Sequence, residues 1–277
     1  MGKKFYTCKS DKAFKYVILN NKHKKILEAI LEEIFKEKII IKRVRPIELI
    51  EDNISVKGKI VDGIIESTGK LISIELNAHK NSYYRKRDSM YLFNLYNKNV
   101  EEGEIITEDK DEIVQINLTY GMSTREDIKS EFYIQTLEGK RWIKDFKIIE
   151  INMSKIMKLW YNKSNNWEKY KYLIMLDLKE KEIDEYLEGD EIMSEYKSAI
   201  KKANTDPRFQ AFMTPEEEEK LIRNTELYYS EKKGIEKGVK ENKLETAKNM
   251  LNENLDLNLI TKITGLPKSE IEKLKEA

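Results

Sequence analysis

The chain has 277 residues, 40% of them hydrophobic, which suffices for one moderate folded domain with an appendage or for two small ones. Its 51 basic and 50 acidic residues leave a net charge of +1, so a global attraction to nucleic acid is excluded and any such contact must be local. A single cysteine, Cys8, excludes an internal disulfide and a four-thiolate metal site, and no apolar stretch approaches the roughly 20 residues that span a bilayer. The charged start Gly2-Lys3-Lys4 has no signal-peptide core behind it, and a cytoplasmic protein without a membrane partner is expected.

The first 25 residues carry eight lysines against Asp11 alone. From Asn21 to Phe35, Ile26, Leu27, Ile30, Leu31, Ile34 and Phe35 recur at helical spacing and predict an amphipathic helix. Extended, β-branched runs follow at Ile39 to Leu49, Ser55 to Glu66 and Leu71 to Leu76 and read as strands. Ser82 to Asn97 returns to helical spacing, Glu101 to Glu112 is acidic, and Ile113 to Leu118 is again a strand. The order helix, three strands, helix, strand places the chain in the α/β class. Beyond residue 154 the pattern is helical, with Trp160, Trp167, Tyr170, Leu173 and Ile174 as packing residues. Thr214-Pro215-Glu216-Glu217 marks the start of a long exposed helix, because Thr caps free amides, Pro suits the first turn and Glu217 closes a capping box. Gly234 and Gly238 weaken that helix and point to a joint or a close helix contact. Leu255 to Leu274 reads as two short helices around Thr264-Gly265, and the expected division is 1–213 and 214–277.

The stretch Lys59-Ile-Val-Asp62-Gly-Ile-Ile-Glu-Ser-Thr-Gly69-Lys-Leu-Ile-Ser-Ile-Glu75-Leu-Asn77 carries the chemistry. Thr68-Gly69 reads as a two-residue hairpin loop, so Ser67 faces Lys70 and, counting back, Asp62 falls opposite Glu75. Cβ atoms in such a pair lie roughly 5 Å apart. Carboxylates so placed repel unless they share a proton, find a basic partner or hold a hard divalent cation. Asn77 projects from the same strand face as Glu75, while Ile74 and Leu76 pack on the other. A solvated edge hairpin is the alternative reading of the same spacing.

These residues resemble the PD-(D/E)XK nuclease superfamily, and within it the Rpn-type recombination-promoting nucleases, also described as transposases. The likeness begins at Asp11-Lys-Ala-Phe14-Lys15, passes through Asp62, Glu75-Leu-Asn77 and Tyr84-Arg-Lys-Arg87-Asp-Ser-Met-Tyr91, and takes in the strand-like Phe146 to Ile151 and the tail. It implies a restriction-endonuclease-like core with a helical C-terminal extension. It also implies a DNA endonuclease that uses Mg²⁺ or Mn²⁺ in recombination or mobile-element breakage. By position Asp62 and Glu75 are the metal-binding acids, the Leu76 backbone carbonyl adds an oxygen, and Asn77 stands where the family usually has Lys or Gln. Val61 replaces the proline of the family's name. Asn77 is one methylene shorter than Gln and lacks the charge of Lys, so a catalytically inactive DNA-binding or assembly protein is the alternative.

Arg87 shares a helix face with Tyr84 and Tyr91 and meets either the site's phosphate or an acid at the core edge. Lys80 and Arg85 are further DNA-binding candidates. Weaker candidates are Glu32 from the first helix, Glu48 at a strand end, His79, and Lys59, which a regular strand turns away from Asp62. The C-terminal helices are read as a surface for homo-oligomerisation or docking rather than for reading DNA.

Overall fold

Ile26, Leu27, Ile30, Leu31 and Ile34 all lie on the buried face of helix α1, Lys24–Phe35, as their spacing dictates. The computed structural model describes residues 4–46, 62–79, 84–98, 111–122, 126–186, 190–210 and 214–275. Ahead of α1, a helical turn Asp11–Ala13 runs into a π-helix, Phe14–Ile18, which buries Phe14, Val17 and Ile18 in the same core. So short a segment shows less than two turns of periodicity, so its spacing predicts no element.

Among the described residues, six strands form one mixed sheet: β1 Ile41–Pro46, β2 Gly63–Ser67, β3 Lys70–Asn77, β4 Glu112–Thr119, β5 Lys129–Tyr133 and β6 Phe146–Asn152. Their order in space is β1-β2-β3-β4-β6-β5, with β3, β4 and β6 parallel and the other neighbours antiparallel. Thr68-Gly69 is the hairpin turn, Gly69 has φ 72°, and the register runs from Ser67↔Lys70 to Gly63↔Ile74 as expected. The expected strand Ser55 to Glu66 is described only from Asp62 onward, and the end of Ile39 to Leu49 likewise lies outside the described residues. Edge strand β5 was not anticipated, since Lys129, Ser130 and Glu131 give it no apolar signature.

The two faces of the sheet differ in chemistry. On one, Ile65, Ile72, Ile74, Val114, Ile116, Leu118, Ile149 and Ile151 join α1 and the π-helix in the main core. Helix α3, Met153–Tyr161, and helix α4, Glu191–Thr205, add Met153, Ile156, Tyr196 and Ile200 to it. On the other face, parallel register aligns side chains in rows across β3, β4 and β6: Leu71, Ile113 and Phe146, then Glu75, Asn117 and Glu150, then Asn77, Thr119 and Asn152. Helix α2, Tyr84–Lys98, packs Leu92 and Leu95 onto the apolar row, and the polar rows are buried as well.

The chain divides into two compact units, Met1–Pro215 and Glu216–Ala277. Helix α5, Pro215–Asn252, is continuous through Gly234 and Gly238, so neither glycine forms the expected joint. A Cβ at either would meet nothing within 4 Å, so neither marks a close helix contact among the described residues. Helices α6, Leu257–Thr264, and α7, Lys268–Lys275, turn at Gly265 (φ 68°) and close a small core of Ala247, Ile260, Leu266 and Ile271.

Gly63, next to Asp62, carries no side chain because Leu19 occupies the space: a Cβ there would lie 2.7 Å from Leu19 Cδ1 and 3.3 Å from its Cγ. Leu19 is itself packed in the main core. Gly63→Ala is therefore expected to destabilise the protein by about 1–3 kcal/mol, read from the midpoint of urea unfolding. An unchanged midpoint would mean that Leu19 yields without cost.

Candidate active site

Asp62 immediately precedes β2, and two hydrogen bonds tie it to β3 where the backbone ladder ends. The Asp62 N–H donates to Glu75 Oε1 at 2.9 Å, and the Leu76 N–H donates to Asp62 Oδ2 at 2.8 Å. The two carboxyls are thus brought together as the hairpin register requires. Both are largely buried, Glu75 in the polar row under α2 and Asp62 at its edge.

Burial raises the pKa of both carboxyls above the ordinary carboxylate range. For Glu75 the charges of Asp62 and then Asp88 push further in the same direction, against the Asp62 N–H bond and Arg87. For Asp62 the Leu76 N–H and Lys15 oppose the rise, while Asp11 adds to it. Among the ion pairs of the described residues, Lys15 and Arg87 meet Asp11, Asp62, Glu75 and Asp88, two bases against four acids at this end of the sheet.

Lys15 projects from the π-helix with its Nζ 2.9 Å from Asp11 Oδ1 and 3.3 Å from Asp62 Oδ1. Burial works against its charge, but the bond to Asp11 and the charge of Asp62 outweigh it and hold the ammonium above its usual pKa. Arg87, one turn into α2, donates from Nε to Asp88 Oδ1 at 2.9 Å and from Nη2 to Asn77 Oδ1 at 2.6 Å, and Nη2 stands 3.9 Å from Glu75 Oε2. Its guanidinium lies over the Tyr91 ring. Asn77 Nδ2 donates to Asp88 Oδ2 at 3.0 Å and to Thr119 Oγ1 at 3.5 Å. Asn77 therefore spends both ends of its carboxamide inside the protein.

Of the expected residues, Asp62, Glu75, Leu76, Asn77 and Arg87 converge here. Arg85 extends the cluster, with Nη2 2.9 Å from Glu150 Oε2, and the Tyr84 hydroxyl donates to the other Glu150 oxygen. Arg87 turns out to meet core-edge acids, Asp88 foremost. His79 lies half-buried just past β3. Glu32 is elsewhere: its carboxylate accepts from Ile39 N–H, beside Ile40, whose carbonyl takes the Thr68 N–H at the far end of the hairpin. Lys59, Glu48 and Lys80 lie outside the described residues. The residues missed were Asp11, Lys15, Asp88 and Glu150. Asp11 and Lys15 at i and i+4 formed the one local signal, and nothing local could link them to Asp62.

No group of three or more His, Cys, Asp or Glu side chains that could hold a metal ion is present among the described residues. Asp62 and Glu75 nevertheless offer an all-oxygen pair with acid in excess around it. That donor set fits a hard cation such as Mg²⁺, which is held by one or two carboxylates and keeps its remaining places for water and phosphate.

A family model described as PD-(D/E)XK nuclease family transposase matches residues 8–237, which takes in all of these residues. No curated protein and no solved structure matches the chain.

In metal-free protein the raised carboxyls make stability depend on pH. The unfolded chain releases these protons in the ordinary carboxylate range while the folded pair retains them. The stabilisation is therefore fully present at low pH and is lost as pH rises through the folded values. Thermal melting in chelator should show a decline from pH 5 upward, flattened in Glu75→Gln, which keeps an acceptor for the Asp62 N–H. An identical slope in variant and wild type would remove Glu75 as its source.

Proposed function

Since the chain belongs to the PD-(D/E)XK nuclease family transposases, we propose that it is a DNA endonuclease that uses a divalent cation, Mg²⁺ or Mn²⁺, in recombination or mobile-element breakage. The observation that carries this reading is the reciprocal Asp62–Glu75 pair, two buried carboxyls fixed face to face by backbone N–H groups, with Lys15 beside one and Arg87 beside the other. Burying and juxtaposing like charges is unfavourable, and holding a cation is the function that accounts for keeping them together.

In this reading Asp62 and Glu75 hold the cation, with the Leu76 carbonyl as a further oxygen. When bound, the cation supplies an activated water and a countercharge for the scissile phosphate. The backbone bonds from Asp62 and Leu76 N–H orient the two carboxyls before anything binds, so little rearrangement is required. Asn77 acts as a positioning residue: it fixes Arg87 and Asp88 and does not reach outward. Arg87 keeps a partly exposed side chain beside Glu75, and that of Arg85 is more exposed still above Glu150, so both suit phosphate contact.

The commitment of Asn77 favours one second reading, a DNA-binding or assembly protein on the same fold that no longer cleaves. Nicking of supercoiled plasmid separates the two. With Mg²⁺ or Mn²⁺ the wild-type protein should nick, chelator should abolish nicking, and Asp62→Asn, which retains an acceptor for the Leu76 N–H, should lose about a hundredfold or more. Asn77→Ala should lower turnover less steeply, by loosening Arg87. Undiminished nicking by Asp62→Asn would remove the site; no nicking by folded, DNA-binding wild-type protein would favour the second reading.

A further inference from the structure

We infer that Lys15, carried on the π-helix outside the β2–β3 hairpin, is the phosphate-contacting ammonium of this site, in place of a cation at position 77. The inference rests on the nuclease reading for its substrate, DNA, and on separate geometry for its residue. Asn77 has neither charge nor a spare polar atom, because Arg87, Asp88 and Thr119 occupy its carboxamide. Among the ion pairs of the described residues, Lys15 is the one lysine joined to Asp62. An ammonium carries three N–H donors. Two are engaged by Asp11 and Asp62, which leaves a third, and the side chain remains 19% exposed at the edge of the carboxylate pair.

Asp11 gives the arrangement its logic. Were Lys15 merely the counterion of Asp62, a second carboxylate on the same ammonium would be superfluous. With Asp11 one helical turn away, Lys15 stays anchored even when Asp62 turns to another cation. A phosphate drawn to the Asp62–Glu75 pair then meets a positive charge already in position.

The test is the salt dependence of binding of the full chain to a short DNA duplex in Ca²⁺, followed by fluorescence anisotropy. Each phosphate contact adds about 0.9 to the slope of log affinity against log salt. Lys15→Met should lower that slope by about one and Lys15→Arg should keep it, with both variants checked by melting. The loss should persist in an Asp62→Asn background, where Lys15 no longer balances that charge. An unchanged slope in Lys15→Met, an equal loss in Lys15→Arg, disappearance of the effect in the Asp62→Asn background, or no duplex binding by wild type would each overturn the assignment. If the slope falls as expected while wild type fails to nick plasmid in Mg²⁺, the nuclease reading fails and the Lys15 assignment stands.

Discussion

Two carboxyls forced together at the open end of a hairpin are the constraint around which the rest of this sheet is arranged. A tight turn at Thr68-Gly69 sets the register, and the register leaves no choice about what faces Glu75. Several neighbouring groups limit the cost of that juxtaposition. The Asp62 and Leu76 N–H groups each donate to one carboxyl, Lys15 approaches Asp62 from one side, and Arg87 approaches Glu75 from the other. Gly63 lets Leu19 close directly over the strand beside Asp62, which joins the site mechanically to the main core.

The sheet supports this site by dividing its faces. One face is apolar and supplies the burial that holds the domain together, in rows of Ile, Val and Leu under α1 and the π-helix. The opposite face changes along its length, from Leu71, Ile113 and Phe146 under the apolar end of α2 to Glu75, Asn117 and Glu150 under its polar beginning. Buried polar side chains there satisfy one another: Ser73 bonds Gln115, Gln115 bonds Asn117, and Glu150 takes Tyr84 and Arg85. In a low-dielectric setting such a network rigidifies the groups it contains and strengthens their electrostatics. The same helix therefore serves as structural lid at one end and as a source of site residues at the other.

In three dimensions the carboxamide of Asn77 is hydrogen-bonded to Arg87, Asp88 and Thr119. Positive charge arrives from elements distant in sequence, Lys15 from before the sheet and Arg87 from after it.

The sequence by itself determined what depends on local spacing. It specified the hairpin register, the pairing of Asp62 with Glu75, the amphipathic face of α1, the helix after β3, and the helical pair closed at Gly265. Turn geometry and side-chain periodicity act over a few residues, so a linear pattern carries them. Tertiary structure alone decided which residues from different elements meet. It joined Lys15 and Asp11 to Asp62, committed Asn77 and Asp88 to Arg87, buried Glu150 beneath Tyr84 and Arg85, and sent Glu32 to the far end of the hairpin. It also placed β5 at the sheet edge and carried α5 straight through two glycines. The physical reason is that a contact between elements depends on how faces pack across the core, and periodicity within one element does not say which face of another it will meet.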